Sequence, residues 1–338
     1  MQCCATLPFV TFTLRLVFAL ALLLAWFAAP PAQTQSSPAM RWWKGNLHTH
    51  TINSDGDSAP DAVARWYKEH RYDFLALTDH NYLTDPQGLN TIFGAKDRFL
   101  LIHGEEVTSR YGKKAIHVNA FGVRQTLEPA FKDGMVATTQ ANVDLIRKAG
   151  ALPSLNHPNF VWSYTVDEFV EIDDLPLFEV FNGHPMTNDF GGARPSLEQM
   201  WDAVLTAGKR RFGIAVDDAH VFKRLRPEDS NPGRGWVEVR APELTETAIL
   251  AALENGDFYS STGVKLNDVS RAGKTLRLEI EENGFASYQV RFMGRDGKLL
   301  ARTSGPKAEY TLKSGDAYAR AVVEDSNGFF AWTQPVFE

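Results

Sequence analysis

Thiols are almost absent from this chain: of 338 residues only two are cysteines, Cys3 and Cys4. A disulfide scaffold and a thiolate metal site are therefore excluded for everything beyond the first few residues. Any metal held further along must rest on histidine, aspartate or glutamate. Positive charge is also thin. Lys and Arg number 35 against 41 Asp and Glu, a net charge of −6, and the only dense basic stretches are Lys209-Arg210-Arg211 and the segment Lys223 to Arg226. Without a basic face, nucleic acid is not an expected partner. Long apolar runs are missing as well. The run Leu16 to Ala29 falls short of the ~20 residues that a membrane-spanning helix needs. Arg15 precedes it, and Pro30, Pro31, Ala32 and a polar Gln/Ser/Pro stretch follow it, which is the layout of a secretory signal peptide. Residues 1–32 are thus expected to be an export signal cut after Ala29 or Ala32, with an uncleaved anchor as the alternative. The mature protein is expected in the periplasm or outside the cell, with no membrane association beyond that signal.

What is present is an ordinary globular balance, 44% hydrophobic and 22% charged, enough for one large domain and a small one. From Trp42 to about Gly263 short apolar runs alternate with amphipathic stretches, the pattern of repeated strand-helix units. Strands are predicted at Trp43 to Leu47, Phe74 to Leu77, Phe99 to His103, Ile116 to Ala120, Ala151 to Leu155, Leu177 to Phe181 and Phe212 to Val216. Helical spacing marks Pro60 to His70, Thr139 to Ala149, Val166 to Glu171, Ser196 to Ala207 and Thr245 to Glu254. Ser196 with Gln199 reads as a capping box. After Gly263 the texture becomes short alternating segments parted by Asn283-Gly284 and Asp296-Gly297, the signature of strands and tight hairpins. The expected division is 41–264 for an α/β barrel domain and 265–338 for a small β-sandwich.

Histidines and carboxylates gather where the apolar runs end: His48-Thr49-His50, Thr78-Asp79-His80, Gly104-Glu105-Glu106, His117, Asn156-His157-Pro158 and Asp218-Ala219-His220. At the carboxyl ends of parallel strands such residues converge although distant in sequence. His48 and His50 are two apart, so an extended backbone points both to one face; Asp218 and His220 repeat this. One histidine of this kind is usually a hydrogen-bonded or surface residue. A whole set converging on one place is costly to desolvate unless cations compensate it, and zinc, manganese and iron accept these ligands.

These motifs resemble the polymerase and histidinol phosphatase (PHP) superfamily over Trp42 to Gly263. Asn46 to Thr51 followed by Ser54-Asp55-Gly56 is similar to its opening motif, Leu77-Thr78-Asp79-His80 to its second, and Asp218-Ala219-His220 to its last. The resemblance implies a distorted (β/α)7 barrel with two or three divalent ions. It implies one ion on His48, His50, Glu106 and Asp218, a second on Glu106, His117 and His157, and a third on Asp55, His80 and His220. Of the adjacent pair Glu105 and Glu106, the family's Gly-any-Glu pattern selects Glu106. Asp79 is implied as a partner that orients a ligating imidazole rather than as a ligand. His184, at another strand end, is a candidate for donating to a leaving group or holding substrate, with a plain loop histidine as the alternative. His103 reads as structural, and His70, at a polar helix end, as solvent-facing. Arg194, Arg234, Lys113 and Lys114 could grip an anion, although loop charges of this kind are more often solvated.

The chemistry implied is hydrolysis, because a water between two such ions has its pKa drawn toward neutrality and no serine or cysteine nucleophile is then needed. The signal segment and the C-terminal β-module together resemble the branch that includes carbaryl hydrolase. The expected substrate is a small molecule, first a phosphoester. Carboxylic or carbamic ester hydrolysis is the alternative, and a non-catalytic metal-binding module is the contrasting class.

Overall fold

The computed structural model describes residues 39–338; the expected signal segment, with both cysteines, lies outside the described residues. Among the described residues no helix is long and apolar enough to cross a membrane.

The chain runs β1 (Arg41–Asn46), α1 (Pro60–Glu69), β2 (Phe74–Ala76), α2 (Pro86–Phe93), β3 (Leu100–Ile102), β4 (Gly104–Tyr111) and β5 (Lys114–Phe121). It continues through α3 (Met135–Lys148), β6 (Leu152–Leu155), α4 (Val166–Glu171), β7 (Leu177–Asn182), α5 (Leu197–Thr206), β8 (Phe212–Val216), β9 (Trp236–Ala241), α6 (Glu246–Asn255) and β10 (Phe258–Ser261). Local chemistry explains many of the boundaries. Pro60 opens α1 where its missing N–H costs nothing. Ser196 and Gln199 form the expected capping box on α5, and Gly256, at φ 71, closes α6 in the left-handed conformation that glycine adopts without strain.

The result is a mixed α/β fold of open sheets. Strands β1, β2 and β3 are parallel neighbours, with β9 antiparallel on the other side of β1. A separate five-stranded sheet runs β4-β5-β6-β7-β8, and in it β4, β5 and β6 pair antiparallel while β6, β7 and β8 are parallel. The expected alternation of strand and helix around a closed seven-stranded ring is therefore not what the ladders give. Its failure has a physical reason. Only His103 parts β3 from β4, and only Gly112 and Lys113 part β4 from β5, whereas a parallel neighbour needs a crossover of a dozen or more residues. Two isolated parallel bridges, Thr49 with Ala219 and His80 with Glu106, link the strand ends of the two sheets. Those links bring the expected ligand segments face to face.

Residues 265–338 supply β11 (Leu266–Ala272), β12 (Thr275–Ile280), β13 (Tyr288–Gly294), β14 (Lys298–Ser304), β15 (Lys307–Thr311), β16 (Tyr318–Asp325), β17 (Phe330–Thr333) and β18 (Val336–Phe337). One layer, β11-β12-β15, packs Leu276, Leu278 and Ile280 against Val290, Phe292, Ala321 and Val323 of the other. That second layer is continuous with the preceding residues: β17 pairs with β10, which pairs with β9, in one ten-stranded sheet.

Candidate metal centre

Six segments deliver the site, most of them just past a strand end. The segment after β1 brings His48, His50 and Asp55. The segment after β2 brings His80, β4 brings Glu106, and β5 brings His117. The segments after β6 and β8 bring His157, and Asp218 with His220. All nine lie in overlapping groups of three or four whose donor atoms fall within 4.8 Å of one another.

The densest part surrounds His48. Its Nε2 is 3.1 Å from His50 Nε2, 3.3 Å from Glu106 Oε2 and 3.2 Å from Asp218 Oδ1. His50 Nε2 reaches the same two oxygens at 3.3 and 3.1 Å. The other oxygen of Glu106 faces elsewhere, with Oε1 2.9 Å from His117 Nδ1 and 3.6 Å from His157 Nε2. Asp55 lies on the solvent side. Its oxygens are 3.5 Å from His80 Nε2, 3.3 Å from His220 Nε2 and 3.5 Å from His50 Nδ1. The three ligand sets implied by the resemblance are thus each drawn together, but the borders are less sharp. His80 Nδ1 also sits 3.0 Å from Glu106 Oε2, and His157 groups with His48 and Asp218 as well as with Glu106.

The electrostatics are those of a cage that needs positive charge. Burial works against ionising Glu106 and Asp218, yet the surrounding imidazoles hold both well below the ordinary carboxylate range. Burial also opposes protonation of His48 and His80. The carboxylates outweigh it, raising His48 well above its ordinary value and His80 to about 10. His50, by contrast, is pushed down to about 4 by burial and then by its neighbour His220. Protons on several imidazoles are standing in for cations. His117 supplies a second sign. Its Nδ1 is buried and close to Glu106 Oε1 but makes no aligned hydrogen bond. A nitrogen and an oxygen that are close without pointing at one another suit two donors to a common ion. The donor set of neutral nitrogen and carboxylate oxygen fits zinc, manganese or iron.

Surrounding contacts fix the rings. His80 Nδ1 pairs with Thr108 Oγ1 at 2.6 Å, His220 Nδ1 donates to the carbonyl of Asp218 at 2.8 Å, and Asn156 Nδ2 donates to Glu106 Oε1 at 2.8 Å. His157 and Asp218 have φ of 24° and 49°. Non-glycine residues hold such values only when the surroundings enforce them, at about 1–3 kcal/mol each.

The remaining candidates fall differently. Glu105 points away, accepting from the backbone N–H of Leu127, while Glu106 faces the cluster. Among the described residues Asp79 makes no hydrogen bond to an imidazole; the expectation that it orients His80 is corrected. Its oxygens accept from the N–H and hydroxyl of Thr51 and the hydroxyls of Ser54 and Thr84, so it fastens the loop that carries Asp55. The reason lies in the backbone: Asp79 and His80 are consecutive in extended chain and project to opposite sides. His184 stands at the margin, its ring centre 5.6 Å from that of His220 and 6.0 Å from that of Phe160. Its Nδ1 accepts from the N–H of Met186, so the neutral ring carries its proton on Nε2. His103 is occupied by Glu246 at 2.7 Å, and His70 stacks on Trp66. Arg194 donates to the carbonyl of Trp162, Arg234 to those of Gly183, Arg226 and Pro227, and Lys114 pairs with Glu168. Lys113 is exposed on the β4–β5 turn.

One buried residue at the site escapes the strand-end pattern. Glu179, in the middle of β7, lies 2.6 Å from His48 Nδ1. Its sequence signal is a charge inside the apolar run Leu177-Phe178-Glu179-Val180-Phe181.

No family model matches the chain, and no curated protein matches it. Solved structures do. An amidohydrolase from Chromobacterium violaceum has 15% identity and a TM-score of 0.37 over 55% of this chain and 93% of its own. A lesion-specific endonuclease from Pyrococcus furiosus has 13% identity and a TM-score of 0.40 over 64% of this chain and 56% of its own. Both scores are too low to bear weight. A protein from Bacteroides vulgatus, described as a "two-domain protein containing predicted PHP-like metal-dependent phosphoesterase", has 17% identity and a TM-score of 0.51 over 90% of this chain and 100% of its own. At that identity the likeness speaks for architecture: the chain has the fold of this two-domain protein across nine-tenths of its length.

Proposed function

We propose that the protein is an exported, metal-dependent hydrolase of ester bonds, acting first on a small phosphoester. The observation that carries this reading is Glu106, whose two oxygens face two different groups of imidazoles. His48, His50, Glu106 and Asp218 would hold one cation, Glu106, His117 and His157 a second, and Asp55, His80 and His220 a third. Divalent cations there would lower the pKa of a water and neutralise charge on the substrate oxygens.

The protein's own groups supply the rest. The caged carboxylates fix where positive charge can sit, and buried side chains keep bulk water from the inner face of the cluster. The water oxygen adds to phosphorus, the bond from phosphorus to the alcohol oxygen breaks, and the alcohol leaves with a proton. His184, with Nε2–H available beside His220, is the group placed to hydrogen-bond that leaving oxygen. Carboxylic or carbamic ester hydrolysis is the second reading. It is favoured by the arginines near the site, Arg194 and Arg234, which spend their guanidinium groups on backbone carbonyls instead of standing free for a phosphoryl group.

Chelator-treated protein should lose turnover of p-nitrophenyl phosphate and regain it with zinc, manganese or iron. Turnover of 1-naphthyl acetate alone would replace the phosphoesterase reading with the second one. Tight metal binding with no turnover of either would leave a non-catalytic metal-binding module.

A further inference from the structure

Strand β7 is apolar on both sides of Glu179, and Glu179 itself is fully buried. A carboxylate in such a place is costly unless it is compensated. Among the described residues no lysine or arginine pairs with it; its only ionisable partner is His48. Its Oε1 lies 2.6 Å from His48 Nδ1. Its Oε2 accepts from the backbone N–H of His157 at 2.6 Å and from Asn182 Nδ2 at 2.8 Å. Asn182 Nδ2 reaches on to Asp218 Oδ2 at 3.1 Å. The ladder between β7 and β8 shifts register between Glu179 and Phe181. Irregularities of this kind are common beside active sites.

We propose that Glu179 is the positioning residue of the metal centre, holding the proton of His48 on Nδ1 so that Nε2 faces His50, Glu106 and Asp218 with a free lone pair. The inference rests on the metal-centre reading above. Two of the three donors to Glu179 fix the carboxylate itself, and the third is the one it acts on. An imidazole has only two neutral tautomers, and the acceptor at one nitrogen decides which is present.

Glu179→Gln separates these roles. With its carbonyl toward His48, the amide turns its NH₂ against the N–H of His157 and the NH₂ of Asn182, donor against donors. Flipped, it satisfies those two but points N–H at His48 Nδ1, which drives the ring proton to Nε2 and removes the lone pair from the cluster. Zinc binding to the full chain, measured by calorimetry with metal content checked by elemental analysis, should therefore weaken by roughly 10–100-fold in this variant. In a His48→Ala background the same substitution should add less than about twofold, because the ring through which it acts is gone. Retained zinc affinity in Glu179→Gln, or a full additional loss in the His48→Ala background, overturns the proposal while leaving the metal centre standing. A wild-type protein that takes up no zinc overturns both. Should Glu179→Gln fail to fold, Glu179→Asp, which keeps the charge one methylene short, goes through the same cycle with the same two criteria.

Discussion

Adjacent glutamates on β4 show how much one residue of register decides. Glu106 touches His48, His50, His80 and His117, whereas Glu105 is turned to the N–H of Leu127 on the other face of the sheet. Glu106→Gln keeps size but removes the charge shared by two groups of imidazoles, so metal content should drop and hydrolytic activity should fall by roughly a hundredfold or more, at least the loss typical of residues that merely orient ligands. Glu105→Gln should leave metal content near normal. Elemental analysis of both variants beside circular dichroism decides it; a metal-poor Glu105→Gln with a normal Glu106→Gln would refute the arrangement. Eight of the nine clustered residues were legible as histidines and carboxylates beside apolar runs, whereas Asp55, in a turn, was reached only through the resemblance of Ser54-Asp55-Gly56 to a family motif, and so was the choice of Glu106 over Glu105. The roles of Glu179 and Asp79 were not legible. Glu179 sits mid-strand on the side opposite Phe178 and Val180, and a lone charge inside an apolar run does not announce that its partner is a histidine more than a hundred residues away. The partners of Asp79 are loop hydroxyls whose approach depends on the closed turn from Thr51 to Ser58.

At the level of elements, the seven predicted strands and five predicted helices all have counterparts, most with ends within a residue or two, because alternation and 3.6-residue spacing are local properties. Among the elements that went unread are α2, β4 and β9. Helix α2 contains Gly88 and Thr91, weak helix formers, and is opened by the Asp85 cap. Strand β4 carries the charges of the ligand motif, and β9 alternates Glu238 and Arg240 with apolar residues. Strand β9 has a measurable consequence. Glu238 lies opposite Lys44 of β1 and is 9% exposed, and burial pushes its pKa up to about 7 against the attraction of Lys44. A carboxyl whose folded pKa exceeds its unfolded value binds its proton more tightly when folded. Its contribution to stability is therefore present at low pH and is lost as pH rises from about 4.5 through about 7. A displacement of that size corresponds to about 3 kcal/mol at most. Urea unfolding of wild type and Glu238→Gln at pH 5 and pH 8 should show the wild type losing ground to the variant at the higher pH. A difference that stays constant between the two pH values would show that Glu238 does not titrate in this window.

For the whole molecule, the sequence pattern suggested two textures meeting near Gly263, and the structure runs one sheet through that point. Strand order within a sheet joins residues far apart in the chain, such as Tyr259 with Thr333, and periodicity carries no information about such partners. The C-terminal strands also share the core of the preceding part: Tyr318, Val322 and Trp332 pack in one cluster with Phe178, Trp201 and Val204. At its centre Arg320, 1% exposed, grips Asp202 of α5 through Nε and Nη2, both at 2.8 Å, and reaches Glu198 at 3.1 Å. Tyr318 and Trp332 donate to the same two carboxylates. Removing one member of such a buried pair strands the other charge, at about 3–5 kcal/mol, whereas replacing both by apolar groups can be nearly neutral. Arg320→Met should therefore destabilise the protein by about that much, and Asp202→Leu added to it should recover a large part. Because sheet and core are continuous, calorimetric unfolding of residues 33–338 should remain a single transition in wild type and in both variants, with the midpoint falling and then rising. Two separate transitions in the wild type, with Arg320→Met shifting only one of them, would mean that the strands after Gly263 fold as a unit of their own and that the shared core contributes little.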